Sequence, residues 1–126
     1  MERKRLLIVD DSERIRDALT DILRKVFNEY QIDNAKNGKE AIEIVEVAEN
    51  PYDLIITDLN MPFMNGYELV QKLRAIDRYR EVYIIGYSSK MVINYREKGF
   101  NSHVNKLEGN IRQLITIIEN AFDVNE

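Results

Sequence analysis

The sequence predicts an α/β fold, with a doubly wound parallel sheet of five strands that is flanked by five helices. Apolar runs of strand length alternate along the chain with segments of helical periodicity. The central runs are almost continuously apolar, which is typical of parallel strands that helices cover on both faces. Strict alternation also implies right-handed crossovers. A length of 126 residues is enough for one domain, over residues 1–126, with a continuous core.

Five strands are predicted where short apolar or mixed runs lie between turn-forming residues. These runs are residues 6–9, 31–35, 54–57, 82–87 and 102–105. The pair Asn37-Gly38 after the second run could form a hairpin. Because helical periodicity follows this pair, we expect a turn from strand to helix instead.

Five helices are predicted where apolar residues recur at helical spacings. The first begins near Ser12 and its apolar face continues to Phe27. Further faces lie at 41–48, 69–76 and 111–122, and residues 91–98 form a shorter and weaker candidate. The charged run at 74–81 is expected to be a solvated helix end, in which Tyr79 could serve a partner.

Composition and charge exclude several function classes. No apolar run approaches the roughly 20 residues that a membrane span needs, and the formal net charge of -4 does not favour binding to the nucleic-acid backbone. The basic amino terminus is followed by too few apolar residues for a secretory signal, and the chain has no cysteine. We therefore expect a cytoplasmic protein without a direct nucleic-acid or membrane partner.

Polar residues suited to phosphoryl chemistry follow four of the predicted strands. They are Asp10 and Asp11 after the first strand, Asp58 after the third, Ser88 after the fourth and Lys106 after the fifth. The carboxyl ends of parallel strands share one edge of the sheet, where ligands bind. Taken singly, the acids and the serine could be helix caps or turn formers, and the lysine a solvated side chain. Their conjunction at one edge favours a site.

These residue types predict a metal-assisted phosphoryl acceptor. Two unit charges 4 Å apart repel by about 4 kcal/mol at an effective dielectric of 20, so three clustered carboxylates need a cation. Oxygen ligands without histidine or cysteine suit Mg²⁺. Asp58 would then be the nucleophile that forms an aspartyl phosphate. Lys106 would neutralise charge on the phosphoryl oxygens, and Ser88 would donate a hydrogen bond to one of them.

Over nearly its whole length the chain resembles the receiver domains of two-component response regulators. The residues that carry the resemblance are Leu6-Leu7-Ile8-Val9-Asp10-Asp11, Asp58 with Met61-Pro62, Met64 and Gly66 after it, Ser88 and Lys106. The resemblance implies a flavodoxin-like fold with strand order 2-1-3-4-5.

The resemblance also implies a ligand set and a phosphoryl donor. Asp58 would take a phosphoryl group from a histidine kinase or a phosphotransfer protein. Asp11, Asp58 and the backbone carbonyl of Asn60 would ligate Mg²⁺, and Asp10 would act through water. The chain would not be an enzyme with a separate substrate, but an acceptor that assists its own phosphorylation and dephosphorylation.

The output implied by the resemblance is conformational. Ser88 and Lys106 would hold the phosphate, Ser88 would move toward it, and the aromatic-switch residue of the fifth strand would turn inward. The surface of the fourth helix, fifth strand and fifth helix would then change. It would contact a downstream protein target, an output domain or a second copy of the chain. Because the chain ends just past the last helix, we expect a stand-alone receiver or a domain excised from a longer protein.

Three residues depart from the family's pattern. Lys106 is followed by Leu107, where the family usually has proline after a cis bond. A cis bond before leucine costs about 3 to 4 kcal/mol, so a trans bond and a different loop are expected. The aromatic-switch position is His103, whose imidazole could make switching sensitive to pH. Tyr87 stands before Ser88, where the family usually has an aliphatic residue, and no role is predicted for it.

Three other functions compete with this interpretation. A protein-binding module that works without phosphorylation is left open by His103 and Leu107. A small aspartate-nucleophile phosphatase of the haloacid dehalogenase type is disfavoured, because it needs a second aspartate where this chain has Asn60, and a cap over its pocket. A flavin-binding protein of flavodoxin type is disfavoured because the acids after the first strand would repel a flavin phosphate.

Overall fold

The fold is a five-stranded parallel sheet with helices on both faces. The computed structural model describes residues 3–90, 93–108 and 110–123. The strands are β1 (Arg5–Val9), β2 (Gln31–Ala35), β3 (Leu54–Thr57), β4 (Tyr83–Ser88) and β5 (Ser102–Asn105). All neighbours pair in parallel, in the order β2-β1-β3-β4-β5. The predicted fold class and strand order are confirmed.

Four helices cover the sheet in the part of the chain that the structure describes. They are α1 (Glu13–Val26), α2 (Gly38–Val47), α3 (Gly66–Arg74) and α4 (Ile111–Asp123). Within the described ranges, no helix has the length and apolar composition that a bilayer span requires.

Two apolar cores lie on opposite faces of the sheet. Alternate residues of β1 divide between them: Leu7 packs in the core with residues of α2 and α3, and Leu6 in the core with residues of α1 and α4. β3 divides in the same way, with Ile55 in the first core and Ile56 in the second. Burial on both faces explains why these strands are continuously apolar.

Side-chain caps set the starts of the first three helices. Ser12 and Asn37 each accept a hydrogen bond from the backbone N–H three residues on, at 3.3 and 2.8 Å. Asn65 does the same for Glu68, whose carboxylate accepts a hydrogen bond from the N–H of Asn65 in return. Such caps satisfy the free N–H groups of a first helical turn. The expected strand-to-helix turn after β2 is confirmed.

The predicted helix over residues 91–98 is wrong. Residues 93–99 form turns, while Met91 and Val92 lie outside the described residues. Asn94 has a φ of 57° and Gly99 a φ of 99°, both outside the right-handed helical region. Ile93 is 70% exposed and none of residues 93–98 is buried, so this described part of the segment lacks the buried apolar stripe from which helices in proteins gain most of their stability.

The prediction of a solvated helix end at 74–81 is confirmed for the exposed charges Asp77, Arg78, Arg80 and Glu81. It is wrong for Tyr79, and Arg74 is only partly exposed. Tyr79 is fully buried in a 3₁₀ turn at Asp77–Tyr79, and its hydroxyl accepts a hydrogen bond from the N–H of Tyr52 at 3.1 Å. It is therefore not available to a partner. The half-buried guanidinium of Arg74 donates to the carbonyls of residues 79, 80, 82 and 99 and to Asn101 Oδ1.

Candidate functional site

Backbone hydrogen bonds beyond the strand ends bring Asp10 and Asp58 side by side. The N–H of Asp58 donates to the carbonyl of Val9 at 2.8 Å, and the N–H of Asp10 donates to that of Ala35 at 3.2 Å. The ladder thus continues one residue past β1 and β3 into the acidic loops. Asp10 is 2% exposed and Asp58 6%, so both carboxylates are largely removed from water.

Asp10, Asp11 and Asp58 form an acidic cluster in which one carboxylate oxygen of each lies within 4.8 Å of those of the other two. Asp11 is exposed and opens the cluster to solvent. The N–H of Ser12 donates to Asp10 Oδ1 at 2.9 Å, and the N–H of Leu59 donates to Asp58 Oδ1 at 2.7 Å. These bonds fix the two buried carboxylates. An oxygen-only donor set of this kind fits a hard divalent cation such as Mg²⁺.

Lys106 bridges the two buried acids. Its Nζ lies 3.1 Å from Asp10 Oδ2 and 3.3 Å from Asp58 Oδ2, and its side chain is 16% exposed. Burial pulls the pKa of Lys106 down, but the two carboxylates outweigh burial and raise it. Burial, together with the charge of Asp58, raises the pKa of Asp10 against the opposing effects of the Ser12 N–H and Lys106. Two buried negative charges therefore share one ammonium group.

The chain holds Lys106 inward without a proline after it. No cis peptide bond occurs in the described residues, so the bond before Leu107 is trans, as expected. A 3₁₀ turn at Lys106–Glu108 follows β5. The side-chain oxygen of Asn105 accepts a hydrogen bond from the N–H of Leu107 at 2.9 Å, and Asn110 Nδ2 donates to the Asn105 carbonyl at 3.1 Å.

Ser88 lies at the same edge, but its hydroxyl is engaged on the β5 side. It is fully buried and donates to the carbonyl of Lys90 at 2.7 Å. Its Oγ also lies 3.1 Å from His103 Nε2. Burial lowers the pKa of His103, and a contact with the Lys90 carbonyl opposes this shift. The imidazole is thus linked to the serine that is predicted to hold phosphate.

Gly86 and Tyr87 take opposite faces of β4 beside the site. A Cβ atom at Gly86 would lie 3.3 Å from His103 Cδ2 and 3.3 Å from Phe100 Cδ1, so the glycine leaves room for both rings. Tyr87 is 8% exposed and packs in the core beneath α1 and α4. Burial raises its pKa. The tyrosine for which the sequence predicts no role is a core residue.

Sequence reasoning missed the structural roles of three residues that shape the acidic loops, although it singled out Gly66 as part of the motif after Asp58. Arg16 Nη1 donates to the Asp10 carbonyl at 2.6 Å, and Thr57 Oγ1 donates to the Asp58 carbonyl at 2.8 Å. A Cβ atom at Gly66 would lie only 2.4 Å from that same carbonyl. The single polar residue in the apolar run of β3 was a signal for Thr57. Asn60 is exposed two residues after Asp58, and its ligand role stays a prediction.

The chain matches a protein family described as Response regulator receiver domain over residues 6–119. Among curated proteins, the chemotaxis protein CheY1 of Helicobacter pylori is 36% identical over 81% of this chain and 84% of its own length. The probable transcriptional regulator ycf29 of Porphyra purpurea is 38% identical over 64% of this chain. The chain spans only 40% of that relative.

Solved structures give the same result. The chemotaxis protein CheY4 of Vibrio cholerae has a TM-score of 0.83 at 26% identity, covering 95% of this chain and 99% of that one. The response regulator protein TrrA of Thermotoga maritima, in complex with Mg²⁺-BeF, has a TM-score of 0.68 at 28% identity. It is matched over 88% of this chain and 98% of its own.

Proposed function

The chain belongs to the response regulator receiver family, and from this premise we propose that Asp58 accepts a phosphoryl group from a histidine kinase or a phosphotransfer protein. The observation that carries the proposal is the bridge from Lys106 Nζ to the buried carboxylates of Asp10 and Asp58. It joins the ends of three strands around one nucleophile. Such a bridge suits a site at which negative charge accumulates during phosphoryl transfer.

The acidic cluster supports Mg²⁺ as the cofactor. Asp11, Asp58 and the carbonyl of Asn60 would hold the ion, and Asp10 would act through water. When bound, Mg²⁺ supplies positive charge against the phosphoryl oxygens. The likeness to TrrA, which was solved with Mg²⁺-BeF, supports the same cofactor here.

In the proposed transfer, one carboxylate oxygen of Asp58 forms a bond to phosphorus while the bond from phosphorus to the donor nitrogen breaks. The electron pair of the broken bond stays on the donor imidazole. Lys106 neutralises charge on the phosphoryl oxygens, since its ammonium group already lies 3.3 Å from Asp58. Ser88 donates its hydroxyl to a phosphoryl oxygen, which requires it to leave the carbonyl of Lys90. The chain acts as an acceptor that assists its own phosphorylation and dephosphorylation.

The proposed output passes through β5. Phosphorylation replaces one negative charge with about two and adds acceptor oxygens, and Ser88 connects these to His103. The surface that changes is formed by the turn segment 93–99, β5 and α4. Its partner would be a downstream protein target, an output domain or a second copy of the chain.

The alternative of a binding module that works without phosphorylation rested partly on Leu107. That support is weakened, because Lys106 reaches Asp58 although no proline follows it. The phosphatase alternative gains no support either, since the position two residues after the nucleophile is Asn60.

Intact mass spectrometry with acetyl phosphate tests the proposal. With Mg²⁺ the native chain should gain the mass of one phosphoryl group, and with EDTA it should not. Asp58→Asn should abolish the gain. Asp17→Asn, at an exposed acid of α1, should leave it unchanged. If the native chain gains no mass and beryllofluoride with Mg²⁺ leaves its NMR spectrum unchanged, the binding-module alternative is favoured.

A further inference from the structure

A polar turn after β5 encloses the backbone of Lys106. The side-chain oxygen of Asn105, the last residue of β5, accepts a hydrogen bond from the N–H of Leu107 at 2.9 Å. An asparagine that binds the N–H two residues on closes a turn with its own side chain. The peptide bond before Leu107 is trans, and the residues after Asn105 form the 3₁₀ turn Lys106–Glu108. The lysine therefore lies between the acceptor and the donor of this bond.

A second hydrogen bond ties the same turn to the start of α4. Asn110 Nδ2 donates to the backbone carbonyl of Asn105 at 3.1 Å, and the carbonyl of Asn110 accepts the N–H of Leu114 at 3.0 Å. Leu114 is fully buried in the core beneath α1 and α4. At the other end, Asn105 is aligned with Ser88 in the β4–β5 ladder. Both ends of the turn are therefore anchored to the packed part of the fold.

The ion pairs of Lys106 are not enough to hold it in place during the proposed reaction. Its Nζ lies 3.1 Å from Asp10 Oδ2 and 3.3 Å from Asp58 Oδ2. In the proposed function these acids also serve Mg²⁺, so Lys106 shares them with a second cation. Because like charges repel, the attraction of the acids for the ammonium group is then weaker. The hydrogen bond between Asn105 and Leu107 does not depend on these charges.

We propose that Asn105 is a positioning residue for Lys106, whose side-chain bond to the Leu107 N–H keeps the lysine directed at the phosphoryl group when Mg²⁺ occupies the acidic cluster. This inference rests on the proposed function of Asp58. Proline has no N–H, so a chain with the family's usual proline after the lysine could not form this bond. Asn105 therefore acts only because residue 107 has an N–H to donate.

Two NMR titrations test the inference, one with Mg²⁺ alone and one with beryllofluoride at saturating Mg²⁺. Asn105→Ala removes the side-chain acceptor but leaves the backbone carbonyl that binds Asn110. Beryllofluoride should bind roughly two- to tenfold more weakly, the value of one hydrogen bond. Mg²⁺ should bind at least as tightly as it does to the native chain, because a less firmly held ammonium group repels it less. A general loss of structure would instead weaken both titrations.

Two further variants serve as rescue and control. A serine hydroxyl can accept the same N–H, but more weakly, so Asn105→Ser should recover part of the lost affinity. Asn28 is an exposed asparagine in the turn before β2, at the opposite edge of the sheet. Asn28→Ala should leave both affinities unchanged. Urea unfolding of each variant checks that it is folded.

A Leu107→Pro background gives the sharpest comparison. Because this chain lacks the N–H, Asn105→Ala should have no further effect on its affinity for beryllofluoride. The inference is overturned if Asn105→Ala alone binds beryllofluoride as tightly as the native chain, if it weakens Mg²⁺ binding equally, or if its effect is the same in the Leu107→Pro background. The first two outcomes decide the matter if the Leu107→Pro chain does not fold. Failure of the proposed function gives a different result, since the native chain itself would then not bind beryllofluoride.

Discussion

Substitution of Gly66 by alanine tests how the loop after β3 positions the phosphoryl acceptor. A Cβ atom at Gly66 would lie 2.4 Å from the Asp58 carbonyl oxygen and 2.9 Å from the Leu59 Cα atom. Ordinary contacts begin at 3.4 Å, so the backbones must separate by about 1 Å. Overpacking of this kind costs about 1 to 3 kcal/mol. The displaced backbone also carries the Leu59 N–H that holds Asp58 Oδ1.

The chain offers a matched control for this substitution. Gly38 is the first residue of α2 and follows the cap Asn37, as Gly66 is the first residue of α3 and follows the cap Asn65. A Cβ atom at Gly38 would come no closer than 3.0 Å, to atoms of Met64. Both substitutions replace glycine with alanine at the same helical position, so intrinsic helix propensity cancels in the comparison.

Urea unfolding and the rate of labelling by acetyl phosphate with Mg²⁺ are the two assays. Gly66→Ala should lower the free energy of unfolding by about 2 kcal/mol and Gly38→Ala by less. Because a displacement of about 1 Å at a reacting group costs up to about a hundredfold in rate, labelling of Gly66→Ala should be slower than native by roughly ten- to a hundredfold. A Gly66→Ala chain that is as stable as Gly38→Ala and is labelled at the native rate would refute the reasoning.

Two further predictions concern the charges of the site. Lys106→Met leaves two buried carboxylates without their bridging ammonium, so the free energy of unfolding, measured by urea without metal, should fall by about 3 kcal/mol. Mg²⁺ should then stabilise the variant more than it stabilises the native chain. A variant as stable as the native chain without metal would contradict this prediction. Burial raises the pKa of the Asp10 carboxyl in the folded chain. The stability that Asp10 contributes is therefore fully present below the ordinary pKa of 3.8, and it is lost as the pH rises through the raised pKa of the folded chain. In EDTA at pH 7, the free energy of unfolding of Asp10→Asn should therefore exceed that of the native chain by about 1 kcal/mol. The difference should shrink toward pH 4. A difference that does not change with pH would show that the ionised Asp10 carboxylate is not its cause.

Strand ends were predictable because they depend on local pattern and on a topological rule. The strands at 31–35, 54–57 and 102–105 have the predicted bounds, and β1 and β4 differ by one residue at their ends. Once these runs are parallel, their carboxyl ends must share an edge. Asp10, Asp58 and Lys106 therefore meet, although the first and last are separated by 96 positions in the sequence.

Features that depend on contacts between distant segments could not be read from local pattern. The charges around Arg74 are typical of a solvated surface, but its guanidinium meets carbonyls of two other segments, and side chains as long as arginine readily bury their stems. Tyr79 is buried because the N–H of Tyr52 supplies a donor for its hydroxyl. The helix expected at 91–98 fails because helical spacing is not sufficient without a face to bury.

The loop after β5 shows how an altered sequence can retain the same site. The sequence predicted a trans bond before Leu107 and a loop different from the family's; the bond is trans, and a polar turn follows Lys106. The side chain of Asn105 binds the N–H of Leu107, and its backbone carbonyl receives Asn110 Nδ2. Leu107 is 75% exposed, while the side chain of Lys106 reaches Asp10 and Asp58. The position of the lysine therefore depends on where the strand ends and on the turn that follows it, and proline is only one way to make that turn.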